Sequence, residues 1–68
     1  MIDIALFGLG RIGIMHGKNL MRNKDFNLKY VYDIDKNLTN KYSKILKAKK
    51  VDNPNIIFKD KKIRAVFI

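Results

Sequence analysis

Gly8, Gly10 and Gly13 stand in the order Gly-x-Gly-x-x-Gly, between an apolar run from Ile2 to Phe7 and a stretch whose apolar residues recur with a helical period. Each glycine has its own task in such a turn. Gly8 allows the chain to reverse tightly, Gly10 lets the backbone approach a bulky anion, and Gly13 lets the following helix lie close to the strand. The chemistry this suits is anion recognition. N–H groups of a first helical turn, here those of Arg11 and Ile12, lack partners within the helix, and the helix dipole adds roughly half a positive charge beside them. Twenty positions past Gly13, Asp33 closes a second apolar run and is followed by Ile34. A carboxylate at that distance accepts hydrogen bonds from ribose hydroxyls, so the pattern reads as a dinucleotide-binding βαβ unit. Its candidate contacts are Gly8, Leu9, Gly10, Arg11, Ile12, Gly13, Asp33 and Ile34.

Other roles compete for some of these residues. Asp33 can be drawn as a cap for the next helix, although Asp35 is better placed for that. The backbone of Arg11 suits an anion better than its guanidinium, which can lie in solvent. Asp33 also discriminates between cofactors, because NADP carries a 2′-phosphate where NAD carries a hydroxyl. Like charges about 4 Å apart repel by roughly 4 kcal/mol at an effective dielectric near 20, an upper figure once solvent and salt act. NAD is the expected cofactor, with NADP kept open by nearby Lys36. His16 is the sole histidine; one turn past Ile12 and one before Leu20, it reads as a packed, hydrogen-bonded residue rather than a catalytic or metal-binding one. Tyr30, Tyr32 and Tyr42 read as core rather than base-stacking platforms.

Positioning these residues requires alternating strands and helices. Ile2, Ile4 and Leu6 alternate with Asp3, Ala5 and Phe7, so both faces of the first strand are largely apolar, as in a buried parallel strand. From Arg11 to about Asn23 the spacing is helical, placing Ile12, Met15, His16 and Leu20 on one face. Leu28 to Tyr32 is a second strand. Asp35 then caps a helix with Leu38, Tyr42, Ile45 and Leu46 inward and Lys36, Lys41, Lys44 and Lys47 outward. A third strand at Lys49-Lys50-Val51 rests only on the expected alternation. Asn53-Pro54 suits a short helix to about Asp60, with Ile57 and Phe58 inward, against a rival strand at Ile56 to Phe58. Ile63 to Ile68 is a final strand. The fold class is therefore α/β, a partial doubly wound parallel sheet: a Rossmann-like β-α-β-α-β half-domain of about four strands.

Sixty-eight residues supply about half of a complete two-fold unit of this kind. The run Ala65-Val66-Phe67-Ile68 lacks a turn residue after it, so residues 1–68 are expected to be the N-terminal part of a dinucleotide-binding domain, with the catalytic and substrate parts elsewhere. Fifteen Lys and Arg against six Asp and Glu leave a net charge of +9, which raises nucleic acid as a partner. The lysines are scattered among Asn residues, which favours a solvated surface over a small basic nucleic-acid-binding module. An inactive truncated gene product is a further alternative. Without cysteine there is no disulfide or thiolate metal site, and with no apolar run of about 18 residues no membrane partner is expected. A cytoplasmic protein is the simplest class.

Read together, Ile4-Ala5-Leu6-Phe7-Gly8-Leu9-Gly10-Arg11-Ile12-Gly13, then His16, Asn19 and Leu20, resemble the opening of the glucose-fructose oxidoreductase and inositol dehydrogenase family, Gfo/Idh/MocA. Val31-Tyr32-Asp33-Ile34-Asp35 resembles that family's second strand and acidic ribose contact. Phe58 to Ile68 resembles its short helix and fourth strand. The resemblance implies an NAD(P)-dependent oxidoreductase of sugars or polyols, inositol-like, with a homo-oligomeric parent protein. The family's catalytic lysine, in a Glu-Lys-Pro motif, and its downstream Asp and His have no counterpart among these residues. The chain is thus expected to bind cofactor and to catalyse nothing alone.

Overall fold

The computed structural model describes all 68 residues as β1 (Ile2–Phe7), α1 (Arg11–Arg22), β2 (Phe26–Tyr32), α2 (Lys36–Ile45), β3 (Lys49–Lys50), α3 (Asn55–Lys59) and β4 (Ile63–Phe67). The strands form one parallel sheet in the order β3-β2-β1-β4. From β1 the chain steps outward twice, through α1 and α2, and then crosses back through α3 to place β4 on the other side of β1. Right-handed crossovers put helices of opposite step direction on opposite faces. The reversal falls between β1 and β4, and a crevice opens at their carboxyl ends.

Each sheet face has its own core. Ile4, Leu6, Leu9, Leu28, Val31 and Leu46 are buried on the α1–α2 face, packed by Ile14, Leu20, Leu38 and Tyr42. Ala5, Tyr30, Val51 and Ile57 are buried on the α3 face, with Phe7, Tyr32, Ile63 and Val66 against them. The two apolar sets of β1 therefore serve two different layers, as a central parallel strand requires.

Several elements depart from expectation in orientation rather than kind. In α1 the buried face runs through Gly13, Ile14, Gly17 and Leu20, while Ile12, Met15 and His16 are exposed. Glycine explains this: a Cβ at Gly17 would come within 2.7 Å of Leu46 Cδ1 and 3.0 Å of Leu6 Cδ2, so α1 lies directly against these two core side chains at that point. In α2 Thr39 is buried and Ile45 half-exposed. In α3 Ile57 is buried but Phe58 is 64% exposed, and the short helix displaces the rival strand at Ile56 to Phe58. Asn53 Oδ1 accepts from the Asn55 N–H at 2.9 Å, while Pro54 already has helical angles. β2 begins at Phe26, two residues before the expected Leu28.

Between β1 and β2 the register steps from Ile4↔Leu28 to Ala5↔Tyr30, leaving Lys29 as an extra residue. The bulge brings Lys29 and Tyr30 to one acceptor. Lys29 Nζ donates to Asp60 Oδ2 at 2.6 Å and the Tyr30 hydroxyl donates to the same oxygen at 2.8 Å. Asp60 Oδ1 also accepts from the Lys62 N–H at 2.9 Å. The Lys29 hydrogen bond, the Lys62 N–H and the Tyr30 hydroxyl together hold the Asp60 carboxyl down from 3.8 to about 2. Its charged form is favoured by folding, so the stability it contributes is present above its unfolded pKa and lost as pH falls through the folded one. Lys29 and Tyr30 are both raised, chiefly by their hydrogen bonds to Asp60, so their contributions are lost at the alkaline end, above about pH 10. Asp60→Asn is expected to lower the urea midpoint near neutrality and to flatten its decline from pH 4 to about pH 2. Urea titrations followed by far-UV circular dichroism check this; parallel acid slopes in both proteins would refute it.

Candidate functional site

The turn from β1 into α1 is built at three levels. Gly8 has φ of 89°, a left-handed angle that side chains disfavour, and its N–H donates to the Tyr32 carbonyl at 2.9 Å. Leu9 is buried in the α1–α2 core and anchors the turn from below. Gly10 stands at the helix start in an extended conformation with no side-chain cap, and no acidic residue occupies the first turn. The positive end of α1 is thus left without a carboxylate of its own. A Cβ on Gly10 would meet nothing within 4 Å, so the space above it is open; a Cβ on Gly13 would strike the Gly8 carbonyl, lying 2.8 Å from its carbon. The tasks expected of Gly8, Gly10 and Gly13 have separate geometric counterparts.

Asp33 is bound to this turn. Its Oδ2 accepts from the Leu9 N–H at 2.7 Å and its Oδ1 from the Asp35 N–H at 2.8 Å. Its own N–H donates to Thr39 Oγ1 at 3.1 Å, which ties the end of β2 to the first turn of α2. Asp35 supplies the cap of α2, accepting from the N–H groups of Asn37 and Leu38. Capping is therefore not the work of Asp33. Each of its oxygens receives one backbone N–H, and a carboxylate has further lone pairs for hydroxyl donors.

Two clefts open at the carboxyl end of the sheet. The larger, about 580 Å³, is lined by Gly8, Gly10, Arg11, Ile12 and Gly13 on one side and by Phe67 at the end of β4 and Ile68 just past it on the other. The smaller, about 240 Å³, is lined by Tyr32, Asp33 and Ile34. Phe7, Gly8 and Ile68 border both, so the clefts form one groove interrupted by the glycine turn. Of the eight candidate cofactor contacts, only Leu9 lines neither cleft; its side chain is core and its N–H is engaged by Asp33.

The structure corrects the reading of His16, which is exposed and lines the larger cleft instead of packing inward. Thr39 was not singled out at all. A threonine four residues past an aspartate cap resembles an ordinary surface position, and only the fold shows it clasping the Asp33 backbone. Tyr30 is buried, while Tyr32 and Tyr42 are half-buried against the two cores. No helix is long and apolar enough to cross a membrane.

Four parallel strands in this order, with a glycine turn at the point where the strand order reverses, define a Rossmann-type nucleotide-binding unit. The chain belongs to the oxidoreductase family GFO_IDH_MocA, NAD-binding Rossmann fold, whose model matches residues 2–68. It is similar to myo-inositol dehydrogenase from Corynebacterium glutamicum, with 30% identity and a TM-score of 0.86 over 97% of this chain and 20% of that one. Myo-inositol dehydrogenase from Lactobacillus casei, in complex with NAD(H) and myo-inositol, superposes with a TM-score of 0.85 at 22% identity, covering 97% of this chain and 20% of that one. GenD2 from gentamicin A biosynthesis, in complex with NAD, superposes at 0.89 and 22% identity over 96% of this chain and 19% of that one. At 22% identity these last two likenesses bear on the fold alone. The chain spans about a fifth of the length of each of these structures. Among curated protein sequences none matches.

Proposed function

We propose that residues 1–68 are the N-terminal part of a dinucleotide-binding domain, and that the whole protein is an NAD-dependent dehydrogenase of a sugar or polyol. The observation that carries the cofactor reading is the Asp33 carboxylate, suspended from the Leu9 amide at 2.7 Å across the groove that the glycine turn divides. The residues present fit the group: Gly10 leaves room for a diphosphate above the uncapped start of α1, and Asp33 faces the cleft beyond it. In this reading the amides of Arg11 and Ile12 hold the diphosphate and Asp33 accepts from the adenosine ribose. Ile34, 89% exposed in the smaller cleft, lies against the adenine.

A bound nicotinamide supplies hydride acceptance or donation. The residues of this chain bind and orient; a group that moves a proton to or from the substrate oxygen is not among them. The polyol class is supported by family membership and by the likeness to the inositol dehydrogenases. Calorimetric titration of the chain with NAD and with NADP tests the cofactor reading. NAD is expected to bind at least about tenfold more tightly, since 1.4 kcal/mol of the repulsion between Asp33 and a 2′-phosphate suffices for that ratio. Equal or tighter binding of NADP would remove Asp33 from the ribose.

A further inference from the structure

We infer that His16 is a cofactor-positioning residue, its imidazole N–H donating to the dinucleotide on the side of the glycine turn away from Asp33. This rests on the dinucleotide reading above. His16 lies in α1 one turn and a half beyond its start, on the exposed side of the helix, and lines the larger cleft together with Gly10, Arg11 and Phe67. Side chains on a helix lean toward its N-terminus and cover the preceding turn. The imidazole therefore leans over the turn that carries Ile12 and Gly13, in the cleft that Gly10 also lines.

The neighbours of His16 argue against a purely structural role. It does not pack into either core, and Gly13 and Gly17 rather than His16 make the close approach of α1 to the sheet. No acidic side chain lines the larger cleft, so Arg11 and His16 are its polar side chains, and both offer donors. A donor pair beside an uncapped helix start suits the diphosphate and the ribose beyond it. Asp33 belongs to the smaller cleft, which His16 does not reach. The two residues thus address different halves of one ligand.

That division can be read with truncated ligands. Affinities of the unaltered chain, His16→Ala, His16→Gln and Asp33→Ala are measured by calorimetry for NAD, for nicotinamide mononucleotide and for adenosine, while the His16 ring resonances are followed by NMR during NAD titration of the unaltered chain. His16→Ala is expected to weaken NAD and nicotinamide mononucleotide about tenfold, a loss in the range of one hydrogen bond to a charged group. It should leave adenosine within about twofold, and His16→Gln, which keeps a donor, should recover most of the loss. Asp33→Ala should show the opposite pattern, weakening NAD and adenosine but not the mononucleotide. The ring resonances should shift on saturation with NAD. The inference is overturned if His16→Ala leaves NAD affinity unchanged, if it weakens adenosine equally, or if the ring resonances stay fixed. Absence of NAD binding to the unaltered chain would instead overturn the dinucleotide reading itself, and the inference with it.

Discussion

Gly13→Ala is expected to leave most of the chain unfolded at room temperature. A Cβ at that position would run into the Gly8 carbonyl and stand 2.8 Å from its carbon, and both atoms belong to backbone that cannot rotate away. Relief requires α1 to lift from β1, which also strips cover from Leu6 and Leu9. Overpacking of flexible side chains costs about 1–3 kcal/mol, and a clash with rigid backbone lies beyond that range. Small domains begin from the lower end of the usual 5–15 kcal/mol, so such a loss exhausts most of their stability. Far-UV circular dichroism and a urea titration read the outcome directly. Two companion substitutions isolate the cause. At Gly17 the added methyl meets the ends of Leu46 and Leu6 side chains, which can shift, so Gly17→Ala should remain folded with a lowered urea midpoint. At Gly10 the methyl meets nothing, φ is −71°, and Gly10→Ala should be as stable as the unaltered chain or up to about 1 kcal/mol more so, while binding NAD more weakly, by less than the loss expected of Asp33→Ala. A folded Gly13→Ala with an unchanged midpoint would remove close helix–strand contact from the explanation of this turn.

That contrast among three glycines also shows why the succession of strands and helices could be read from the chain while helix orientation could not. Alternation in β1 and the clustered β-branched and aromatic residues of β2 report burial directly, because a sheet core is made of large apolar side chains. The closest approach of α1 to the strand and core beneath it is made by Gly13 and Gly17, which carry no apolar side chain to mark the face that Ile14 and Leu20 share. Counting apolar residues therefore selected Ile12 and Met15, which are 69% and 63% exposed. The spacing Gly13-x-x-x-Gly17 was the available signal, since glycines four apart lie on one helix face. β3 presents the reverse case. Lys49 and Lys50 have no strand pattern, and they pair with Tyr30 and Val31 because α2 delivers them to the edge of β2. Only Val51, buried beside Ile57, marks the place in the sequence.

The candidate site divides in the same way. Local geometry was readable: glycine at a left-handed turn, an aspartate cap at Asp35, an acidic residue at the end of β2. What depends on distant partners was not. The Leu9 amide and the Asp33 carboxylate are 24 positions apart, and their hydrogen bond exists because β1 and β2 run parallel and, past the bulge, pair as far as Phe7↔Tyr32. His16 and Phe67 share a cleft because the crossover through α3 returns β4 to the side of β1. Asp60 joins Lys29 and Tyr30 through a bulge that no residue type announces.

Asp33→Ala should have the largest effect on cofactor affinity of any single substitution that leaves the chain folded. The carboxylate has two loads, and the substitution removes both. It deprives the Leu9 and Asp35 N–H groups of their acceptors, at 2.7 and 2.8 Å, which costs about 1–3 kcal/mol of stability in so far as those groups are shielded from water. It also removes the acceptor proposed for the ribose hydroxyls, and hydrogen bonds to a charged group contribute about 1.5–3 kcal/mol each. NAD affinity is expected to fall about 100-fold, close to 2.7 kcal/mol. NADP should be affected in the opposite sense, because the charge that repels its 2′-phosphate is gone, so the preference between the two cofactors narrows or inverts. Asp33→Asn separates the two loads: its amide oxygen still accepts from one backbone N–H and keeps the turn in place, but the negative charge is lost. It should retain the urea midpoint within about 1 kcal/mol, lower NAD affinity about tenfold and bind NADP no worse than the unaltered chain. Paired calorimetric and urea titrations of the three proteins decide the matter. If Asp33→Asn matches the unaltered chain for both cofactors, the carboxylate serves only to hold Leu9 in place, and the choice between NAD and NADP is made elsewhere in the protein.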